Sequence, residues 1–153
     1  MTVRIALDAN VLVGLLDSKD AWHARANSLY TSIKSIAAEE IIFDCALTEA
    51  ISAIGRRLHE KRRVGDWGSI IEKFLTDYPP DRLTWILPDV PQLYMQAIGM
   101  MRSTGGQLNF NDALIAIACR EREILVLASF DPDFDQVPWL MRIAQPDDLT
   151  RLT

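Results

Sequence analysis

The apolar positions follow two rhythms that alternate along the chain. Val3-Arg4-Ile5-Ala6-Leu7 is a short, nearly continuous apolar run that stops at Asp8, the pattern of a strand covered on both faces. Residues 10–16 then read as a short apolar helix or turn, and 17–20 as a loop. Asp20 is placed to cap a helix over about 21–36. Ile41-Ile42-Phe43 predicts a second strand. Over about 46–63, Leu47, Ala50, Ile51, Ile54 and Leu58 recur at helical spacing, with Gly65 as the expected C-terminal cap. A further helix is expected over 67–76, ended by Pro79-Pro80.

Leu83-Thr84-Trp85-Ile86-Leu87 predicts a third strand, and Asp89 caps the next helix, with Leu93, Ala97, Ile98 and Met101 inward. Gly105-Gly106 interrupts the chain. A helix opens near Asn109 to Asp112 and carries Leu114, Ile117 and Ala118. Ile124-Leu125-Val126-Leu127-Ala128 is the clearest strand in the sequence. Ser129-Phe130-Asp131-Pro132 turns into a short helical piece, Leu140-Met141-Arg142-Ile143 is a last strand, and Pro146 starts a final helical turn. Strands separated by helical segments pair in parallel. The expected fold is α/β, a three-layer α/β/α sandwich with a mostly parallel central sheet, and the 153 residues suit one domain over 1–153.

Composition adds bounds. Hydrophobic residues at 49% and charged residues at 24% are ordinary for a soluble globular chain. No apolar run reaches the roughly 18–20 residues a membrane helix needs. Asp8 interrupts what would be a signal peptide's apolar core. Cys45 and Cys119 sit in apolar surroundings and read as reduced, buried thiols of a cytoplasmic protein. The net charge of −5 argues against a general nucleic-acid binder. It does not exclude a nuclease, because carboxylates that bind metal are themselves acidic.

Four acids carry the candidate chemistry. Asp8 follows directly on an apolar strand and is not placed to cap a long helix. Glu49 is expected in the first turn of its helix, where the macrodipole favours a carboxylate, on a stripe with Ser52, Arg56 and Arg63. Asp112 fits the third helical position of a capping box opened by Asn109. Asp131 before Pro132 fits a helix cap. The last three are individually ordinary. In a parallel sheet, however, strand ends and the following helix starts share one edge, where ligands bind. Unit charges about 4 Å apart repel by roughly 4 kcal/mol at an effective dielectric near 20. Hard cations such as Mg²⁺ or Mn²⁺ would offset that. No Cys/His spacing suits zinc.

Leu7-Asp8-Ala9-Asn10-Val11-Leu12, Thr48-Glu49, Asn111-Asp112-Ala113-Leu114-Ile115-Ala116 and Ser129-Phe130-Asp131-Pro132-Asp133-Phe134 stand in order along the chain, and Gln145-Pro146-Asp147-Asp148-Leu149 follows. This ordered set resembles PIN-domain ribonucleases, and within them the VapC-like toxins of toxin–antitoxin pairs. The resemblance implies an acidic pocket of Asp8, Glu49, Asp112 and Asp131 holding one or two Mg²⁺ or Mn²⁺ ions. It implies supporting roles for Asn10 and Ser129, and hydrolysis of RNA phosphodiester bonds. None of the four acids needs a tuned pKa for that chemistry; each needs to be ionised and held. A homodimer mate and a small antitoxin protein are the partners the family suggests.

Arg56, Arg57, His59, Lys61, Arg62 and Arg63 form one dense basic run. It reads either as a solvated helix end or as an RNA-contacting ridge, with Arg56, Arg62 and Arg63 as the candidate contacts. Trp22, Trp67, Trp85 and Trp139 are expected in the core or an interface rather than as base-stacking platforms. His23 and His59 have no evident catalytic partner. One rival is a catalytically silent PIN-like module that binds RNA or protein. A dehalogenase-like phosphatase would have an acid where Asn10 stands. A receiver-like domain would carry its acceptor after a central strand rather than the first.

Overall fold

The computed structural model describes residues 2–152. Four parallel strands form one sheet in the order β2-β1-β3-β4: β1 Arg4–Leu7, β2 Glu39–Ile41, β3 Val126–Ala128 and β4 Met141–Ile143. The helices are α1 Ala9–Leu16, α2 His23–Ser35, α3 Asp44–Glu60, α4 Trp67–Asp77, α5 Val90–Ser103 and α6 Phe110–Glu121, with short 3₁₀ turns between and after them. The architecture is the expected three-layer α/β/α sandwich. Among the described residues, no helix is long and apolar enough to cross a membrane.

The core explains the apolar rhythms. Ile5, Ala6 and Leu7 are fully buried, as are Leu127 and Ala128 beside them. A strand in the middle of a parallel sheet is covered on both faces and needs no polar side. α6 buries every residue from Asp112 to Cys119, and α1 every residue from Val11 to Leu16. Cys45 and Cys119 are free and buried.

The expected third strand does not form. Thr84 makes a single parallel bridge to Phe43. The chain is then diverted by Asp44, whose buried carboxylate accepts from the Ile86 and Leu87 N–H groups at 3.0 and 2.9 Å as well as from Cys45 N–H. Those donors would otherwise have served a sheet ladder. The end of α3 also differs. The helix stops at Glu60, not near residue 63, and Gly65 is not its cap. Arg62 takes a left-handed φ of 55°, and the Arg63 and Arg62 N–H groups bond back to the Leu58 and His59 carbonyls. This is the paired hydrogen-bond closure that glycine usually serves. At the end of α5, Gly105 and Gly106 do adopt positive φ, as their sequence suggests.

Candidate active site

β1 has β2 on one side and β3 on the other, so the chain leaves β1 in one direction and returns in the other. The gap beyond the carboxyl ends of β1 and β3 is the switch point of the sheet, where open α/β folds form their ligand crevice. Asp8 is the first residue past β1, and Ser129 the first past β3. The Asp8 N–H donates to Ala128 O at 2.9 Å, which locks the two strand ends together.

The side chains continue that link. Ser129, fully buried, donates its hydroxyl to Asp8 Oδ2 at 2.6 Å. Asn10 Nδ2 lies 3.3 Å from both Asp8 Oδ2 and Ser129 Oγ, and Asn10 Oδ1 accepts from Phe130 N–H at 3.1 Å. Asp131 N–H donates to Ser129 Oγ at 3.1 Å. Asp8 also caps α1, accepting from Ala9 N–H at 2.8 Å. The helix it caps is only eight residues long.

Glu49 lies in the second turn of α3, because that helix begins at Asp44. The first-turn macrodipole explanation therefore does not apply to it. It is half-buried and acts electrostatically on both Asp8 and Asp112. Asp112 makes the anticipated capping box: Asn109 N–H donates to Asp112 Oδ2 at 3.1 Å, and Asp112 N–H donates to Asn109 Oδ1 at 2.9 Å. Asp131 caps the 3₁₀ turn Pro132–Gln136 through Asp133 N–H at 2.9 Å. A carboxylate has more lone pairs than one cap uses, so capping and ligand binding are compatible.

Burial and mutual repulsion set the charge state. Asp8, only 4% exposed, is pushed up to about 7 from its ordinary 3.8, chiefly by burial; the Ser129 and Ala9 hydrogen bonds work against that, and Asp112 and Glu49 add to it. Asp112, 8% exposed, is pushed up to about 6, again chiefly by burial, with Asp131, Glu49 and Asp133 raising it further. Without a compensating charge, Asp8 is therefore partly protonated near neutrality and Asp112 takes up its proton about one pH unit lower. Asp133 is an acid of this rim that sequence reasoning passed over, since it reads as an ordinary first-turn residue after Pro132.

Among the described residues, no three Asp, Glu, His or Cys side chains are gathered into a ready-made cage for an ion. Mg²⁺ keeps several waters and typically takes one or two carboxylates plus substrate oxygens. A rim of hard oxygens whose charges repel one another fits such a hydrated ion. It does not fit zinc, for which the rim offers no histidine or cysteine among the described residues.

The basic run divides. Arg63 donates to Asp17 Oδ1 at 2.8 Å and Oδ2 at 3.2 Å and to Asp66 Oδ2 at 3.0 Å, so it ties the end of α3 to the loop after α1. Arg57 pairs with Asp20 at 2.8 Å. Arg56 and Arg62 are exposed. The tryptophans divide too. Trp67 and Trp139 are half-buried, whereas Trp22 and Trp85 are 43% and 51% exposed and so are not core residues of the single chain.

The arrangement defines an α/β/α domain with an acidic cleft at the switch point of a parallel sheet. Residues 5–140 match the PIN domain family, and the chain belongs to it. Among solved structures, the fold is similar to VapC20 of Mycobacterium tuberculosis, described as a sarcin–ricin-loop-cleaving toxin. That match has a TM-score of 0.66 at 18% identity, over 89% of this chain and 96% of that one. VapBC2 of Rickettsia felis, bound to a DNA fragment from its promoter, matches with a TM-score of 0.61 at 17% identity, over 92% and 98% of the two chains. PAE2754 of Pyrobaculum aerophilum matches with a TM-score of 0.56 at 21% identity, over 99% and 98%. No curated protein matches the sequence.

Proposed function

We propose that the chain is a metal-dependent endoribonuclease that hydrolyses RNA phosphodiester bonds and serves as the toxin of a toxin–antitoxin pair. The observation that carries this is the buried Asp8 at the switch point, fixed by Ser129 and Asn10 and set among Glu49, Asp112 and Asp131. Burying repelling carboxylates is costly unless a cation compensates. Family membership supports the nuclease reading. The fold shared with a toxin that cleaves the sarcin–ricin loop supports RNA as substrate, and the likeness to VapBC2 supports an antitoxin partner. Exposed Trp85, Leu87, Tyr94 and Met95, on α5 and the segment before it, support a homodimer or antitoxin interface.

Asp8, Glu49, Asp112 and Asp131 would hold one or two Mg²⁺ or Mn²⁺ ions. Such ions supply a hydroxide-like nucleophile and neutralise charge on the phosphate. Asp8 offers its oxygens at a fixed angle, because Ser129 and Ala9 hold both of them. Asn10 and Ser129 keep the Asp131 segment in register with Asp8. Asp112 and Asp131 present the oxygens their caps leave free.

The test is RNA cleavage by the purified chain with added Mn²⁺, beside Asp8→Asn and Asp112→Asn. Each substitution is expected to abolish cleavage while leaving the circular dichroism spectrum unchanged. Full activity in a well-folded Asp8→Asn protein would sink the assignment. RNA binding without cleavage by the unmodified chain would point instead to the silent module.

A further inference from the structure

Trp22 lines a cleft of about 630 Å³ together with Asn10, Phe130 and Asp131. Two neighbours brace its ring. Phe130 meets it edge-on, with centroids 5.0 Å apart and planes at 71°. The Arg25 guanidinium lies 4.4 Å from the Phe130 centroid and 5.2 Å from the Trp22 centroid. The backbone beneath is also fixed. Trp22 N–H donates to Asp20 Oδ2 at 3.0 Å, and Ala26 N–H donates to Trp22 O at 2.9 Å. A Cβ on Gly14 would lie 2.6 Å from Ala26 Cβ and 3.2 Å from Trp22 O. That close approach sets the start of α2 against α1, the helix that Asp8 caps.

The brace is connected to the acidic rim as well. Phe130 is the residue between Ser129 and Asp131, and its N–H is held by Asn10. Trp22 therefore sits at a fixed offset from Asp8 and Asp131 rather than on a drifting surface.

Two groups at this spot keep donors that no side chain or carbonyl of the described residues takes up. Among the described residues, the Trp22 indole N–H has no acceptor, whereas Trp85 and Trp139 donate to the Pro80 and Ala116 carbonyls. Arg25 forms no ion pair among the described residues and is exposed. Asp20 on the cleft wall is neutralised by Arg57 at 2.8 Å, and Glu60 there is accompanied by Lys61. A braced flat ring, a free donor and an unpaired cation beside a phosphate-handling site match what single-stranded nucleic acid needs: a π-face for the base and positive charge for the backbone.

We propose that Trp22, braced by Phe130 and Arg25, is the stacking platform for the RNA base that flanks the phosphate held at the acidic rim, with Arg25 contacting the adjoining phosphate. The proposal rests on the ribonuclease reading and makes this cleft a determinant of which nucleotide is accepted next to the cut.

The experiment measures binding of a short single-stranded oligoribonucleotide by fluorescence anisotropy, in the Asp8→Asn background so that the probe survives. A single abasic site is moved along the oligonucleotide. One position is expected to weaken binding by about tenfold, the scale of one base–aromatic stack. That position-specific loss should disappear when Trp22→Ala is added and persist with Trp22→Phe, which keeps a π-face and guards against misfolding. If the abasic profile is the same with and without Trp22→Ala while RNA still binds, the platform is refuted and the nuclease reading stands. If the parent chain neither binds nor, with Asp8 restored, cleaves any RNA, both fall together.

Discussion

Asp8 is paid for by its neighbours. A carboxylate that is 4% exposed beside Asp112 and Glu49 is driven towards its protonated form, and the Ser129 hydroxyl at 2.6 Å recovers only part of the cost. The consequence for stability has a definite sign. Folded Asp8 titrates at about 7 against an ordinary 3.8, so between those values the native protein binds a proton that the unfolded chain has released. Stability from this group is fully present below 3.8 and is lost as pH rises towards 7. The loss is about 1.4 kcal/mol for each pH unit crossed in the limit where this group acts alone. Asp8→Asn removes the ionisation. In metal-free protein its melting temperature, relative to wild type, should therefore be higher near pH 8 than near pH 5. An offset that is equal at both values would mean Asp8 is ionised throughout and that its burial is not costly.

At the scale of elements, the closure of α3 shows both what the pattern could reveal and what it could not. Helical spacing of Leu47, Ala50, Ile54 and Leu58 identified the helix, because burial imposes that period. Its end differs from the expected one because Gly65 looks like a cap, whereas the left-handed position falls on Arg62, φ 55°. Glycine adopts that conformation without the Cβ penalty, roughly 1–2 kcal/mol per residue, which exceeds its larger loss of backbone freedom on folding. Arg62→Gly is accordingly expected to raise the melting temperature in a thermal scan. If Arg62 contacts RNA, the same substitution should reduce the steepness of log affinity against log salt, by about one in slope for one phosphate contact. Arg63 should behave in the opposite way. Its guanidinium is occupied by the buried Asp17 and by Asp66, so Arg63→Ala should lower the melting temperature and leave the salt slope unchanged. A steep salt effect from Arg63→Ala, or a fall in melting temperature from Arg62→Gly, would reverse these assignments. The failed strand at Thr84 has a similar cause. Leu83 to Leu87 has strand composition, but the competing acceptor is the Asp44 side chain, 42 residues away from Ile86 in sequence. Such a capture cannot be seen in local periodicity.

For the whole molecule, the acids were legible as an ordered set and illegible one by one. Asp112 and Asp131 do form the ordinary caps their sequences predict. What periodicity could not supply is that the caps of α6 and of the turn after β3 open into the space beside Asp8, or that Trp22 is left uncovered at its edge. The first follows from the strand order, which puts β1 next to β3. The same placement yields a global prediction. The four acids belong to the end of β1, to α3, to α6 and to the segment after β3, so an ion bound among them would couple elements far apart in the chain. Binding to the folded state alone stabilises it by RT ln(1 + [L]/Kd), about 2.7 kcal/mol at a hundredfold excess over Kd. For a chain of this length that corresponds to a rise in melting temperature of roughly 5–10 °C. Mn²⁺ titrated into metal-free protein near pH 8 should produce such a rise, and the Asp8→Asn, Asp112→Asn double variant should show none. The rise should shrink towards pH 5, because protons then compete for Asp8 and Asp112, whose carboxyls titrate at about 7 and about 6. Equal shifts in both proteins would place the ion elsewhere and leave the four carboxylates as helix caps around an uncompensated cleft.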